Sequence, residues 1–168
     1  MPTETICCTE QKRAGAVTFK GNPLTLIGPA LTVGAALPAF QILGQDLSPV
    51  TSQSLAGKVL LLSTIPSVDT PVCDAQVRRF NEEAAKLPGV EIVNISMDLP
   101  FAQKRWCGAA GISRVQLLSD HKEASFGKAT GTLIQELRLL TRALFVVDRS
   151  GTVRHVEYVP EVTSHPNY

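Results

Sequence analysis

Lys58-Val-Leu-Leu-Leu-Ser-Thr-Ile65 runs directly into Pro66-Ser-Val-Asp-Thr-Pro-Val-Cys73 and then into Asp74-Ala-Gln-Val-Arg-Arg-Phe-Asn-Glu-Glu-Ala-Ala-Lys-Leu87, and this stretch decides the fold. Its first part is a short apolar run, which predicts a strand buried on both faces of a sheet. Its last part predicts an amphipathic helix, because apolar residues recur every three or four positions while charged residues fill the other side. The stretch is therefore a strand, a loop with two prolines and a helix, with Cys73 in the first helical turn.

Cys73 has a physical reason to be reactive at this position. Free N–H groups and the positive end of the dipole at a helix N-terminus favour a thiolate, which is the nucleophilic form of cysteine. Thr70 can place a hydroxyl beside the sulfur, while Pro66 and Pro71 stiffen the loop. An isolated cysteine is more often a small buried apolar residue. Cys73, however, follows the end of a predicted strand, where reacting groups gather in α/β sheets, and this position favours a reactive cysteine.

Several separated motifs carry a resemblance to one family. The pattern Pro66-x-x-x-Thr70-x-x-Cys73 resembles the active-site motif of peroxiredoxins, thiol enzymes that reduce hydroperoxides. Together with Asp98-Leu-Pro-Phe-Ala-Gln103 and Trp106-Cys107-Gly108, it resembles the bacterial thiol peroxidases, an atypical two-cysteine branch. The likeness extends from about Ala16 to the C-terminus, and the motifs agree in order and spacing.

Strands that alternate with helices predict a single α/β domain. The resemblance implies a thioredoxin-like fold, with a central mixed sheet flanked by helices and an added N-terminal β-hairpin. We expect residues 1–15 to be a disordered extension and residues 16–168 to form one peroxiredoxin domain. Members of this branch usually close with a further helix, which the present chain, ending at Tyr168, is expected to lack.

The remaining elements follow from shorter patterns. Alternation about a turn predicts the N-terminal hairpin. Asp98 and Pro100 are typical of a helix start. The predicted elements are a hairpin over 17–27, strands over 39–43, 90–97 and 115–118, helices over 100–108 and 121–131, and a final hairpin of 143–147 with 152–158.

Arg142 is the cation that the resemblance implies beside Cys73. A guanidinium stays charged and can hold sulfur and peroxide oxygens in one plane. The resemblance implies that Pro66, Thr70 and Arg142 bind the peroxide. Spacing alone would not choose Arg142 over Arg138 or Arg149, and by itself it would be interpreted as a surface arginine. Two further arginines, at 78 and 79, are expected on the solvated face of the helix.

Cys107 is the candidate resolving cysteine. The resemblance implies that it condenses with the sulfenic acid of Cys73 to form an intramolecular disulfide. Taken alone, it would be interpreted as a buried core cysteine. The two cysteines lie on different predicted helices, so we expect one or both segments to unwind during turnover. Cys7 and Cys8 lie outside the resemblance and suggest no function.

The resemblance also implies partners. They are a hydroperoxide substrate, either hydrogen peroxide or an alkyl or lipid hydroperoxide, thioredoxin as reductant, and a second copy in a homodimer. No cofactor or metal is expected. The chain has no C-x-x-C motif, which disfavours a thiol–disulfide isomerase, and its three histidines are scattered. A one-cysteine peroxidase, and a peroxide sensor or holdase that does not turn over, stay open as alternatives.

Composition narrows the cellular setting. Hydrophobic residues make up 44% and charged residues 18% of the chain, which is typical of a globular protein. The net charge is +1 and there is no basic tract, so no binding to nucleic acid or to an acidic membrane is expected. No apolar run approaches the roughly 20 residues of a membrane span, and the N-terminus lacks a secretory pattern. We therefore predict a cytoplasmic protein.

Overall fold

The computed structural model describes residues 10–168. The strands are β1 (Lys12–Phe19), β2 (Asn22–Ile27), β3 (Gln41–Leu43), β4 (Pro49–Thr51), β5 (Val59–Thr64), β6 (Val90–Ser96), β7 (Gln116–Ser119), β8 (Leu133–Ile134), β9 (Leu139–Leu140), β10 (Ala143–Val147) and β11 (Val153–Tyr158). The helices are α1 (Pro71–Ala84), α2 (Pro100–Ala110) and α3 (Ser125–Thr130), besides a short 3₁₀ turn at Gln53–Leu55.

The central sheet is mixed and has seven strands in the order β11-β10-β5-β6-β7-β3-β4. Strand β5 is buried in its middle, antiparallel to β10 and parallel to β6, as its apolar run predicts. Strand β6 is in turn parallel to β7. Right-handed crossovers between successive parallel strands place α1 and α2 side by side on one face of the sheet. Residues of both helices accordingly share one apolar cluster.

The N-terminal hairpin predicted from the sequence is confirmed, and it belongs to a second sheet of order β1-β2-β8-β9. Its two-residue turn has positive φ at Lys20 (49°) and Gly21 (81°), as turns that match the twist of a hairpin require. Strand β1 begins at Lys12, so the residues from there to position 15 are ordered in a strand although they were predicted to be part of an extension. Cys7 and Cys8 lie outside the described residues.

The structure also contains strands that were not predicted from the sequence and one helix that begins later than predicted. Strands β8 and β9 contain two residues each, which is too short for a period to show in the sequence. Helix α3 begins at Ser125 and not at residue 121. Ala124 has a left-handed φ of 52°, which ends the preceding turn before the helix begins. The carboxylate of Asp120 accepts hydrogen bonds from the N–H groups of Phe126 and Gly127 at 3.0 and 2.8 Å, and so stabilises a helix start at Ser125.

Asp120 is a buried carboxyl whose titration should affect stability. Burial raises its pKa to about 6, despite the two N–H groups that it accepts. A carboxyl whose pKa is higher in the folded than in the unfolded protein makes folding take up a proton, so its contribution to stability falls as pH rises between about 4 and 6. We expect the unfolding free energy of the wild type, minus that of Asp120→Asn, to decrease by up to about 3 kcal/mol across this range. Urea unfolding at several pH values measures it; a difference independent of pH would contradict the assignment.

None of the helices within residues 10–168 is long and apolar enough to cross a bilayer.

Candidate active site

Cys73 lies at the carboxyl end of β5, in the first turn of α1, and its side chain is fully buried. Thr70 is the N-cap residue, and its Oγ1 accepts a hydrogen bond from the Cys73 N–H at 3.4 Å. The Thr70 hydroxyl donates in turn to the carbonyl of Ser67 at 3.1 Å, and Pro71 occupies the first helical position. The strand–loop–helix arrangement predicted around Cys73 is thus confirmed.

Arg142 contacts the sulfur directly. It precedes β10, the neighbour of β5, and only 1% of its surface is exposed, so its interpretation as a surface arginine is wrong. Its Nη2 donates to Cys73 Sγ at 3.3 Å and to the carbonyl oxygen of Val162 at 3.1 Å. Its Nε donates to the same carbonyl at 3.3 Å. The carbonyl oxygen of Val162 therefore holds the guanidinium in place against the Cys73 thiol.

Besides Cys73 Sγ, the Arg142 guanidinium hydrogen-bonds to the carbonyl oxygen of Val162 and to the amide oxygen of Gln76, which are both neutral groups. The ion pairs formed within residues 10–168 do not include it. A buried cation without a counter-charge is costly, and a thiolate at Cys73 would supply that negative charge. The arrangement can thus hold a nucleophilic sulfur beside a fixed donor, which is what displacement at an electrophilic atom requires.

A recess of about 270 Å³ opens beside this site. Two of its lining residues, Thr70 and Arg142, hydrogen-bond to Cys73, and Pro66 lines it as well. The other lining residues are largely apolar: Phe19 at the end of β1, Pro71, Val72 and Val162, with Lys20 and Thr163. The recess therefore offers a polar end near the sulfur and an apolar wall.

The wall from the hairpin is tied to the C-terminal segment by Glu161. Its carboxylate accepts hydrogen bonds from the hydroxyls of Thr18 and Thr163 and from the N–H of Lys20. These donors, the Thr18 hydroxyl first, hold the pKa of Glu161 well below its usual value. The tip of the hairpin is thereby positioned over the recess.

Cys107 lies on α2, and 9% of its surface is exposed. Gln45 Nε2 donates to its sulfur at 3.4 Å, and burial raises the pKa of this thiol. Both Cys73 and Cys107 are free thiols, and they share an apolar cluster with Val68, Val77 and other residues. The structure thus places the two cysteines on neighbouring helices without a bond between them.

Comparisons with known proteins identify the family. The sequence model of the family described as Redoxin matches residues 32–168. The thiol peroxidase of Halalkalibacterium halodurans is 58% identical over 153 residues, covering 91% of this chain and 92% of the relative. That of Bacillus subtilis is 56% identical over 152 residues, covering 90% and 91%. The chain belongs to the redoxin family, among its thiol peroxidases. It is thus a peroxiredoxin enzyme, as the motifs around Cys73 indicated.

A solved structure agrees with this assignment. A crystal structure of a peroxiredoxin-like protein from Aquifex aeolicus superimposes with a TM-score of 0.86 at 41% identity, and each chain is covered to 92%. The thioredoxin-like fold of this redoxin, with its mixed sheet and added N-terminal hairpin, is therefore confirmed.

Gln76 is a residue of this site that sequence reasoning missed. It is fully buried, its Oε1 accepts from Arg142 Nη1, and its Nε2 donates to Ser63 Oγ at 2.6 Å. A signal was available, because a glutamine three positions after Cys73 interrupts the apolar face of an amphipathic helix. A polar residue on such a face needs a buried partner.

Asp98 has a different role from the one predicted. It does not cap α2, whose N-cap position is Leu99. Its carboxylate instead accepts from Ser67 Oγ at 2.7 Å and from the Val68 N–H at 2.9 Å. Ser96 donates to it as well, at 2.6 Å. Asp98 therefore anchors the loop before Cys73 to the end of β6.

Arg78 and Arg79 were predicted to lie on the solvated face of the helix, and the structure confirms this. Arg78 and Arg79 lie on the exposed face of α1, where they pair with Asp74 at 2.8 Å and with Glu83 at 3.2 Å. Both pairs have the i, i+4 spacing of a solvated helix face.

Proposed function

We propose that this redoxin reduces hydrogen peroxide and organic hydroperoxides with Cys73 as the attacking thiol, Cys107 as the resolving thiol and thioredoxin as the reductant. The observation that carries the proposal is the 3.3 Å contact from Arg142 Nη2 to Cys73 Sγ, in a buried helical turn next to an open recess.

In the first step the Cys73 thiolate attacks the terminal oxygen of the hydroperoxide. The S–O bond forms as the O–O bond breaks, so the sulfur is oxidised to a sulfenic acid, and the leaving oxygen takes up a proton to depart as water or an alcohol. Arg142 supplies N–H donors for the negative charge that develops on that oxygen. Thr70 and Pro66 shape the polar end of the recess.

In the second step the Cys107 thiol attacks the sulfur of the Cys73 sulfenic acid. A disulfide forms and water leaves. A disulfide requires Cα atoms within about 7 Å, whereas each cysteine is fixed here in its own helix. We therefore include local unwinding in this step. Unwinding also brings Cys107 out of the buried surroundings that raise its pKa.

In the third step a dithiol reduces the disulfide by two thiol–disulfide exchanges and becomes oxidised itself. We assign this role to thioredoxin and place the protein in the cytoplasm, where thiols are kept reduced. Pairing as a homodimer is part of the same proposal and rests on the resemblance alone.

The recess supports organic hydroperoxides as substrates. Phe19, Pro71, Val72 and Val162 give it an apolar wall that an alkyl chain can contact. Hydrogen peroxide needs only the polar end.

The test uses a Cys7→Ser/Cys8→Ser background, in which Cys73 and Cys107 are the only thiols. The reduced protein receives one equivalent of cumene hydroperoxide or hydrogen peroxide, is alkylated, and is mapped by peptide mass spectrometry. We expect a Cys73–Cys107 disulfide, and consumption of many equivalents of peroxide when thioredoxin, its reductase and NADPH are added.

Other outcomes of this experiment identify the alternatives. A sulfenic acid on Cys73 with a free Cys107 and continued turnover would indicate a one-cysteine peroxidase. Oxidation that occurs once and is not followed by turnover would indicate a sensor or holdase. An unmodified Cys73 would contradict the proposed chemistry altogether.

A further inference from the structure

The residues next to the two cysteines are joined to each other. Asp74 follows Cys73 on α1, and Trp106 precedes Cys107 on α2. Trp106 Nε1 donates a hydrogen bond to Asp74 Oδ1 at 3.0 Å. A single contact therefore links the first turn of α1 to the second half of α2, beside both thiols.

Arg78 reinforces this contact. Its Nε donates to the other carboxylate oxygen of Asp74 at 2.8 Å, and its guanidinium carbon lies 5.6 Å from the centre of the Trp106 ring. Its Nη1 also donates to the carbonyl of Ala110, the last residue of α2, at 3.3 Å. We refer to Asp74, Arg78 and Trp106 as the clasp.

We propose that the clasp holds α1 and α2 in the dithiol arrangement and that its release belongs to the step in which the Cys73–Cys107 disulfide forms. This inference rests on the proposed function. The side chains of Asp74 and Trp106 meet because their helices fix the directions in which they point. Unwinding of either segment changes those directions, so the hydrogen bond and the new disulfide exclude each other.

Release of the clasp then sets the competition for the sulfenic acid. Attack by Cys107 gives the disulfide and water. Attack by Cys73 sulfenate on a second hydroperoxide breaks another O–O bond and gives the sulfinic acid and an alcohol. A tighter clasp prolongs the life of the sulfenic acid, whereas a weaker one favours the disulfide. Asp74 and Trp106 are thus positioning residues, since they act through the helices and their side chains hydrogen-bond to each other and not to either cysteine sulfur.

Trp106→Phe and Asp74→Asn test the proposal in the Cys7→Ser/Cys8→Ser background. The first removes the N–H donor and keeps an aromatic ring; the second keeps the shape of the side chain and removes its charge. After one equivalent of hydroperoxide, rapid quenching with an alkylating reagent follows the sulfenic acid and the disulfide. We expect disulfide formation to accelerate about three- to tenfold in Trp106→Phe, and less in Asp74→Asn, which retains an acceptor oxygen.

Two further readouts separate a clasp from a general loosening of the protein. The rate at which Cys73 is first oxidised should stay at the wild-type value, because the side-chain donor to the attacking sulfur is Arg142, which both variants keep. The dithiol–disulfide equilibrium should shift toward the disulfide. A tenfold shift would make the reduction potential about 30 mV more negative. With excess hydroperoxide, less sulfinic acid should accumulate at Cys73 than in the wild type.

The matched control is Glu83→Gln, which weakens an i, i+4 ion pair with Arg79 on α1 and leaves the contacts with α2 unchanged. It should resolve at the wild-type rate. The double variant Asp74→Asn/Trp106→Phe should be no faster than Trp106→Phe, because Trp106→Phe already removes the one hydrogen bond between the two side chains.

The outcomes distinguish the two proposals. Wild-type protein that forms no Cys73–Cys107 disulfide would overturn the proposed function and the clasp with it. Normal disulfide formation in the wild type, together with unchanged or slower formation in Trp106→Phe, would overturn the clasp alone. Trp106 is the single tryptophan of the chain, so its fluorescence provides an independent check. Its emission should change when the wild-type disulfide forms, and an emission spectrum identical in both redox states would contradict release.

Discussion

Replacement of Cys73 by serine is expected to reduce peroxide turnover to the level of a reaction without enzyme. The thiolate is the nucleophile of the proposed chemistry, and a serine hydroxyl stays protonated at neutral pH even beside a guanidinium. Serine should fit the buried position in the first turn of α1 with little change in packing, because it is nearly the size of cysteine. The loss should therefore appear in activity and not in folding.

Thioredoxin-coupled oxidation of NADPH measures this turnover, and far-UV circular dichroism verifies the fold. Cys107→Ser is the matched control. In this variant the hydroperoxide should still oxidise Cys73 once, at the wild-type rate. Coupled turnover should fall strongly, because no internal thiol resolves the sulfenic acid. Appreciable turnover in Cys73→Ser would remove Cys73 from the role of nucleophile.

Replacement of Arg142 by methionine is expected to lower kcat/KM for hydroperoxide by about 10²–10³-fold, the usual cost of losing a donor aimed at developing charge. Methionine fills a similar volume but donates nothing to Cys73 Sγ or to the carbonyl of Val162, which Arg142 contacts at 3.3 and 3.1 Å. Arg142→Lys keeps the charge without the planar fork, so it should recover only part of the rate.

Stopped-flow measurement of the first oxidation of Cys73 isolates this effect from resolution and reduction. The rate should decrease from wild type to Arg142→Lys to Arg142→Met at every hydroperoxide concentration. Arg79→Met is a suitable control, because Arg79 is an exposed arginine of α1 that does not hydrogen-bond to the thiol. A first oxidation in Arg142→Met that matches the wild type would show that the cation is dispensable.

The local part of the site could be predicted from the sequence. The apolar run, the two prolines and the helical period around Cys73 act over neighbouring residues, so strand, loop and helix could be predicted from these patterns alone. Contacts between distant segments could not be derived in this way. Arg142 follows Cys73 by 69 positions and became a candidate through the resemblance, since nothing in its neighbourhood shows that it is buried.

The misses have the same origin. Asp98 was predicted to cap α2 because an aspartate shortly before a proline is typical of a helix start. Its carboxylate instead accepts hydrogen bonds from Ser67 and Val68 on another loop. Helix α3 was predicted to begin too early because Asp120 caps it through its side chain after an intervening turn. In each case a polar side chain found its partner in the tertiary structure, which the periodicity of apolar residues does not describe.

The carbonyl oxygen of Val162 accepts two of the hydrogen bonds that orient Arg142. Every amino acid carries this atom, so a substitution of the side chain at position 162 keeps the acceptor. An inserted or deleted residue between β11 and this position would instead shift the backbone and move the oxygen out of reach of Arg142. At this contact, the site thus tolerates substitution far better than a change in loop length.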